Sequence, residues 1–222
     1  MITLALDTSG GEATVALLRD APGGRELLGT EVLSTGMRHG VDLFPALERL
    51  LRGAAVLPRD VGLVAVGTGP GSYTGLRVGI TAARAFAYAA GAQLLGVPSC
   101  DAWAAATPLD ARPLAVVLDA RIKAVYLAVY EAAGGSWTRR AGPELLGPAV
   151  AAARIPADAV VVGDGIAPYA DAFAGRSAAA SHVGRLALGR LARGERDAID
   201  AVVPLYLRKT EAELKREGRA DV

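Results

Sequence analysis

The chain has 222 residues, 52% of them hydrophobic, and a formal net charge of +1. That is enough apolar material for one large domain or two small ones, and the balanced charge leaves no global basic footprint for nucleic acid. The single cysteine, Cys100, excludes an intramolecular disulfide and any Cys-x-x-Cys zinc pair, which suits a reducing cytoplasm. No apolar run reaches the roughly 18 residues of a membrane span.

Ile2 to Asp7 reads as a first strand ending in an acid. It lacks the basic start of a signal peptide. Ala13 to Arg19 and Glu26 to Leu33 follow as two further strands, joined as a hairpin by Ala21-Pro22-Gly23-Gly24. Between Val41 and Leu51 the apolar residues fall at a helical period. A strand over 61–66 then leads into Gly67-Thr68-Gly69-Pro70-Gly71-Ser72-Tyr73-Thr74-Gly75-Leu76-Arg77, and a helix runs from there to Ala90. The segment Leu94 to Ala105, with Pro98, reads as the connection to a second half.

That second half repeats the order. Leu114 to Asp119 is again a strand ending in an acid. Val125 to Tyr130 and Ser136 to Ala141 are its partner strands, 148–154 is a short helix, and Ala159 to Val162 leads into Gly163-Asp164-Gly165. Helical stretches are expected from there to about residue 194. Three strands, helix, strand, helix, given twice, predict an α/β fold of two ribonuclease H-like units, the actin-like (ASKHA) architecture. The expected lobes are 1–100 and 101–222. Asp7 parallels Asp119, and the first Gly loop parallels the second. Ligands of open α/β sheets bind beyond the carboxyl ends of strands, so both acids and both loops are expected at a shared cleft.

The Gly-rich loop allows two readings. It opens a helix, where free N–H groups suit an anion, or it is a tight strand-to-helix turn. It contains no lysine, so it is not a Walker A loop, and Ser72 does not stand in Gly-x-Ser-x-Gly. Asp7 and Asp119 either organise a nucleotide cleft with Mg²⁺ or accept N–H bonds from their own turns. Asp164, between glycines, suits a turn. The candidate nucleotide-contacting residues are Asp7, Thr8, Ser9, Gly163, Asp164 and Gly165. His39 precedes a helix, and His182 follows Ser181, a candidate N-cap. Neither histidine forms a triad or a metal set, so no catalytic and no metal-binding residue is expected.

Gly69-Pro70-Gly71-Ser72-Tyr73-Thr74-Gly75-Leu76-Arg77 resembles the loop motif of the TsaB (YeaZ-like) family. Leu6-Asp7-Thr8-Ser9, Leu118-Asp119-Ala120-Arg121 with Val125-Tyr126, and Pro204-Leu205-Tyr206-Leu207-Arg208 resemble further family segments in the same order. Where many relatives carry His-Ser-Glu, this chain has His39-Gly40-Val41-Asp42. The resemblance implies a two-lobed cytoplasmic fold and a non-catalytic partner of TsaD, acting with TsaE in tRNA threonylcarbamoyladenosine biosynthesis. It implies tRNA only in the complex, and no cofactor in the isolated chain but ATP or ADP at the interface with TsaD. It also implies that the N-terminal helices pair with TsaD, or with a second copy when alone.

The helix after the Gly loop is apolar nearly all round, which fits burial on more than one side. The expected interface is Leu43, Phe44, Leu47, Leu50, Leu51, Thr74, Gly75, Val78, Thr81, Ala82 and Ala85. Near the C-terminus Arg208, Lys209, Lys215, Arg216 and Arg219 interleave with Glu211, Glu213 and Glu217, as on a solvated face. A tail that orders on a partner, or a tRNA contact, is the alternative. Three rival readings remain at this point, a stand-alone actin-like ATPase or kinase, a glycoprotease-like peptidase and a purely structural homodimer.

Overall fold

A computed structural model describes residues 1–21, 24–33, 39–173 and 197–207. Ser181, His182, the helical stretches expected before residue 194 and the charged C-terminal residues from Arg208 onward lie outside the described residues. In the first lobe, β1 (Ile2–Asp7), β2 (Ala13–Ala21) and β3 (Gly24–Leu33) form an antiparallel meander. Helix α1 (His39–Gly53) follows, then β4 (Val61–Gly69), α2 (Tyr73–Ala90) and β5 (Gln93–Pro98), giving a sheet ordered β3-β2-β1-β4-β5. Helix α3 (Ser99–Ala106) leads to the second lobe, where β6 (Leu114–Asp119), β7 (Val125–Ala133), β8 (Ser136–Leu146), α4 (Pro148–Arg154) and β9 (Val160–Val162) give β8-β7-β6-β9. In each lobe a meander pairs its first strand in parallel with a later one, β1 with β4 and β6 with β9. The expected duplicated ribonuclease H-like fold is present.

The alternation of side chains along a strand sorts the core. Leu4, Leu6, Val64 and Val66 share one cluster with Leu43, Leu47 and Leu50 of α1 and Ile80 and Ala83 of α2. Ala5, Leu63 and Ala65 point to the other face, where Ala102 of α3 joins them. Cys100 and Ala104 of the same short helix belong to the second lobe's core with Leu114, Val116 and Tyr130. Both lobes therefore share α3. No helix among the described residues is long and apolar enough to cross a membrane.

Helix α2 is set by its two ends. The Ser72 hydroxyl accepts the Gly75 N–H at 3.1 Å, an N-cap. Gly91 ends the helix at φ 67°, with its N–H directed to the carbonyls of Ala87 and Tyr88. The seat of the helix is a contact with the turn after β1. A Cβ on Gly75 would stand 2.0 Å from the Thr8 carbonyl oxygen, and one on Gly79 would stand 2.1 Å from the Thr8 hydroxyl. Thr8 is fully buried, and its hydroxyl donates to the Gly75 carbonyl at 2.7 Å.

Two expectations change. Leu94–Pro98 is not mere connection: it lies in β5, parallel to β4, so the linking role falls to α3 and the residues after it. Part of the C-terminal half also returns to the first lobe. Leu94 bridges Asp197, Val202 enters the first core, Leu205 N–H donates to the Thr68 carbonyl at 2.6 Å, and Tyr206 stacks on Tyr73 at 4.6 Å. The segment 197–206 thus lies against the first lobe, where Val202 is buried.

Gly75→Ala should cost about 3 kcal/mol or more, because the new methyl meets fixed backbone. Gly91→Ala, with open space around it and only a left-handed φ to bear, should cost about 1 kcal/mol. Urea unfolding of both variants checks this, and equal losses would contradict the proposed contact.

Candidate functional site

The carboxyl ends of the parallel pairs β1/β4 and β6/β9 face each other across a cleft of about 390 Å³. Its lining includes Asp7, Ser9, Gly71, Trp103, Asp119 and Asp164. The strand-end acids expected from the sequence therefore do converge. Gly163 and Gly165 lie behind this lining. A Cβ on Gly163 would come 1.9 Å from the Val117 carbonyl oxygen, and Gly165 N–H donates to that same oxygen at 3.0 Å. Gly163 adopts φ 125°, a conformation that favours glycine.

Most of the polar groups here are engaged with protein. Asp7 Oδ1 accepts the Ser9 N–H at 2.9 Å and the Ser9 hydroxyl at 2.6 Å. Ser9 Oγ in turn accepts the Ser99 hydroxyl at 3.0 Å. Asp164 Oδ1 accepts the Asp119 N–H at 3.0 Å, and Asp119 Oδ1 accepts the Arg121 N–H at 2.9 Å and the Tyr169 hydroxyl at 3.3 Å. Burial pushes the Asp7 carboxyl above its ordinary range, and the bonds from Ser9 only partly oppose this.

At the start of α2 three amides are engaged within the protein. Ser72 N–H donates to the Ser9 carbonyl at 2.7 Å, Gly75 N–H to Ser72 Oγ, and Leu76 N–H to the Ser72 carbonyl at 2.9 Å. Of the two readings of the Gly-rich loop, the geometry matches the tight turn. Arg121, which the sequence offered only as part of a motif, reaches over the cleft. Its guanidinium Nη2 lies 2.8 Å from where a Gly11 Cβ would be, and its backbone takes the left-handed φ of 64°. Nothing local in the sequence announces this approach, because Gly11 and Arg121 belong to different lobes.

The expected interface residues divide by burial. Leu43, Leu47, Leu50, Leu51, Gly75 and Ala82 are buried in the lobe. The four leucines of the α1 stripe pack into the lobe's own core, and Gly75 and Ala82 lie on the buried face of α2. Phe44, Thr74, Thr81 and Ala85 are exposed and Val78 is half-buried. On α2 the residues Thr74, Val78, Thr81, Ala85 and Tyr88 form one outward stripe, flanked by exposed Arg77 and half-buried Arg84.

A second cavity, of about 810 Å³, lies beside β5, α3 and the β7–β8 hairpin. Its wall includes Asp101, Tyr130, Trp137 and Arg139. The Tyr130 hydroxyl donates to Asp101 at 2.7 Å, and Arg139 stands 3.6 Å from the same carboxylate. Burial, then the neighbouring Cys100 and Asp101, push the Tyr130 phenol up. Sequence reasoning singled out none of these side chains, which come from separate elements.

The raised Asp7 pKa sets a pH dependence. As pH rises past about 4, the unfolded chain ionises before the folded one, so the folded state loses stability until Asp7 itself ionises. Asp7→Asn removes that loss. Its urea midpoint relative to wild type should therefore rise between pH 4 and pH 7, and an unchanged offset would contradict the burial argument.

The profile described as "TsaD: tRNA N6-adenosine threonylcarbamoyltransferase" matches residues 33–158, more than half of the chain. The chain is 31% identical over 135 residues to "tRNA threonylcarbamoyladenosine biosynthesis protein TsaB" of Bacillus subtilis, an alignment covering 61% of this chain and 57% of that protein. It is 32% identical over 217 residues to an uncharacterized protein of Mycobacterium tuberculosis, covering 94% of this chain and 92% of that one. Among solved structures, YeaZ from Pseudomonas aeruginosa superposes with a TM-score of 0.73 at 28% identity, over 92% of this chain and 100% of that chain. With the duplicated fold and the converging strand ends, these matches lead to one conclusion: the chain belongs to the family of that threonylcarbamoyltransferase profile, as a TsaB (YeaZ)-like member.

Proposed function

We propose that the chain is a non-catalytic accessory subunit in tRNA threonylcarbamoyladenosine synthesis, docking on a TsaD partner through the outward face of α2. The likeness to proteins named for that pathway supports the pathway. The outward face of α2 is the observation that carries the docking. The helix has 18 residues and no acid, and its exposed stripe is built from Thr74, Thr81 and Ala85 beside half-buried Val78. A helix face meant for water normally carries mixed charge, whereas here the only flanking charges are the cations Arg77 and Arg84. Small side chains let another helix approach closely. On α1, exposed Val41 and Phe44 add apolar surface to the same lobe.

The non-catalytic assignment rests on how the cleft is filled. The Thr8 hydroxyl, the Ser9 hydroxyl and the Ser72 N–H all bond within the protein, so these polar groups serve the fold. The same fact weighs against a stand-alone ATPase. ATP or ADP is held where this chain meets TsaD, TsaE is a further component, and tRNA is met in the complex. Without TsaD, the same face pairs two copies of the chain.

Thr81→Arg and Ala85→Arg should each weaken TsaD binding by a factor of about a hundred. Both should leave thermal stability nearly unchanged, since these side chains are exposed. Leu47→Glu is the contrast and should unfold the lobe. Calorimetric titration with the TsaD of the same organism reads the first effect. Undiminished binding by both arginine variants would rule out this face.

A further inference from the structure

Ser9 is the point where three elements meet. Its carbonyl accepts the N–H of Ser72, the N-cap of α2. Its hydroxyl donates to Asp7, which faces the cleft between the lobes. That same oxygen accepts the hydroxyl of Ser99, the first residue of α3. Ser9 is 8% and Ser99 1% exposed, so water does not replace these bonds. Helix α3 is in turn divided between the cores of both lobes, with Ala102 in one and Cys100 and Ala104 in the other.

We propose that Ser99 is a positioning residue that couples the seating of the inter-lobe helix α3 to the N-terminus of α2. The path runs from the Ser99 hydroxyl through Ser9 to the Asp7 carboxylate, and from the Ser9 carbonyl to the cap of α2. Buried hydroxyls in series polarise one another, so the bonds strengthen together. A shift of α3 withdraws the Ser99 donor, loosens the 7–9 turn and frees the first amides of α2. By reciprocity, whatever holds α2 also holds the angle between the lobes. The link to partner binding rests on the proposed docking face of α2, but the link between α3 and α2 does not.

Hydrogen exchange of the full chain tests the coupling directly. Ser99→Ala removes the donor without adding bulk. It should speed exchange of the Ser72, Gly75 and Leu76 amides about fivefold or more, while amides of the β7–β8 ladder keep their rates. Ser99→Thr, which retains the hydroxyl, should restore slow exchange if the added methyl is accommodated. Ser9→Ala, which removes the same acceptor from the other side, should reproduce the Ser99→Ala effect, and the double variant should add little to either. Unchanged exchange at the start of α2 in both alanine variants would overturn the proposal, as would a uniform acceleration over the whole chain.

TsaD titration then separates the two readings. If Thr81→Arg abolishes binding and Ser99→Ala weakens it about fivefold, the coupling extends to the partner. If Thr81→Arg abolishes binding and Ser99→Ala leaves it untouched, the coupling does not reach the partner and that part of the proposal is wrong. If Thr81→Arg has no effect, the docking face is wrong, and the exchange data alone decide the coupling.

Discussion

The backbone of the turn after β1 and the backbone of α2 lie closer together than any side-chain-bearing residues allow. Thr8 and Ser9 occupy space that a Cβ on Gly71, Gly75 or Gly79 would need. Everything else in the first lobe is arranged around that approach. It fixes where the helix crosses the sheet, which of its faces is buried with Ile80 and Ala83, and which stripe is left outward. It also engages the Ser72 N–H, one of the groups that a helix start would otherwise present to a ligand. A loop with the composition of a phosphate cradle has become a joint.

The second organising feature is the sharing of elements between lobes. Helix α3 is only eight residues long, yet it contributes to two cores and presents Trp103 to the cleft. The segment 197–206 crosses back to β4, β5 and α2, with Val202 in the first core and Tyr206 against Tyr73. Arg77 lies over the Tyr73 ring, 5.6 Å from its centre, next to the outward stripe of α2. The two lobes are tied by a shared helix and a returning segment, and Arg121 of the second lobe approaches Gly11 of the first.

Much of this was legible in the residues. Short apolar runs ending in an acid at Ile2–Asp7 and Leu114–Asp119, with turn residues between the strands, point to both meanders and the duplication. The likeness of Asp7 to Asp119 placed both acids at one cleft. Strand β5 reads as a connection because Leu94-Leu95-Gly96-Val97-Pro98 is short, is interrupted by glycine and ends in proline. The extension of β4 through Gly67-Thr68-Gly69 was hidden for a related reason: the pairing of Gly67 with Val97 depends on a neighbour that had not been recognised. The leucines of α1 show the limit of periodicity. A helical stripe says that one face is covered, not by what, and here the cover is the lobe's own sheet. The Ser9–Ser99 bond and the cavity beside Asp101 join residues far apart in the chain, where no spacing rule applies.

The central claim is that this chain contributes to threonylcarbamoyladenosine formation by holding TsaD rather than by doing chemistry. Reconstitution tests it most directly: TsaD and TsaE from the same organism, with tRNA, ATP and threonylcarbamoyl-adenylate, assayed for modified adenosine with and without the chain. The account predicts modification only when the chain is present, and its loss again when Ala85→Arg replaces the wild type. Equal modification without the chain would contradict it.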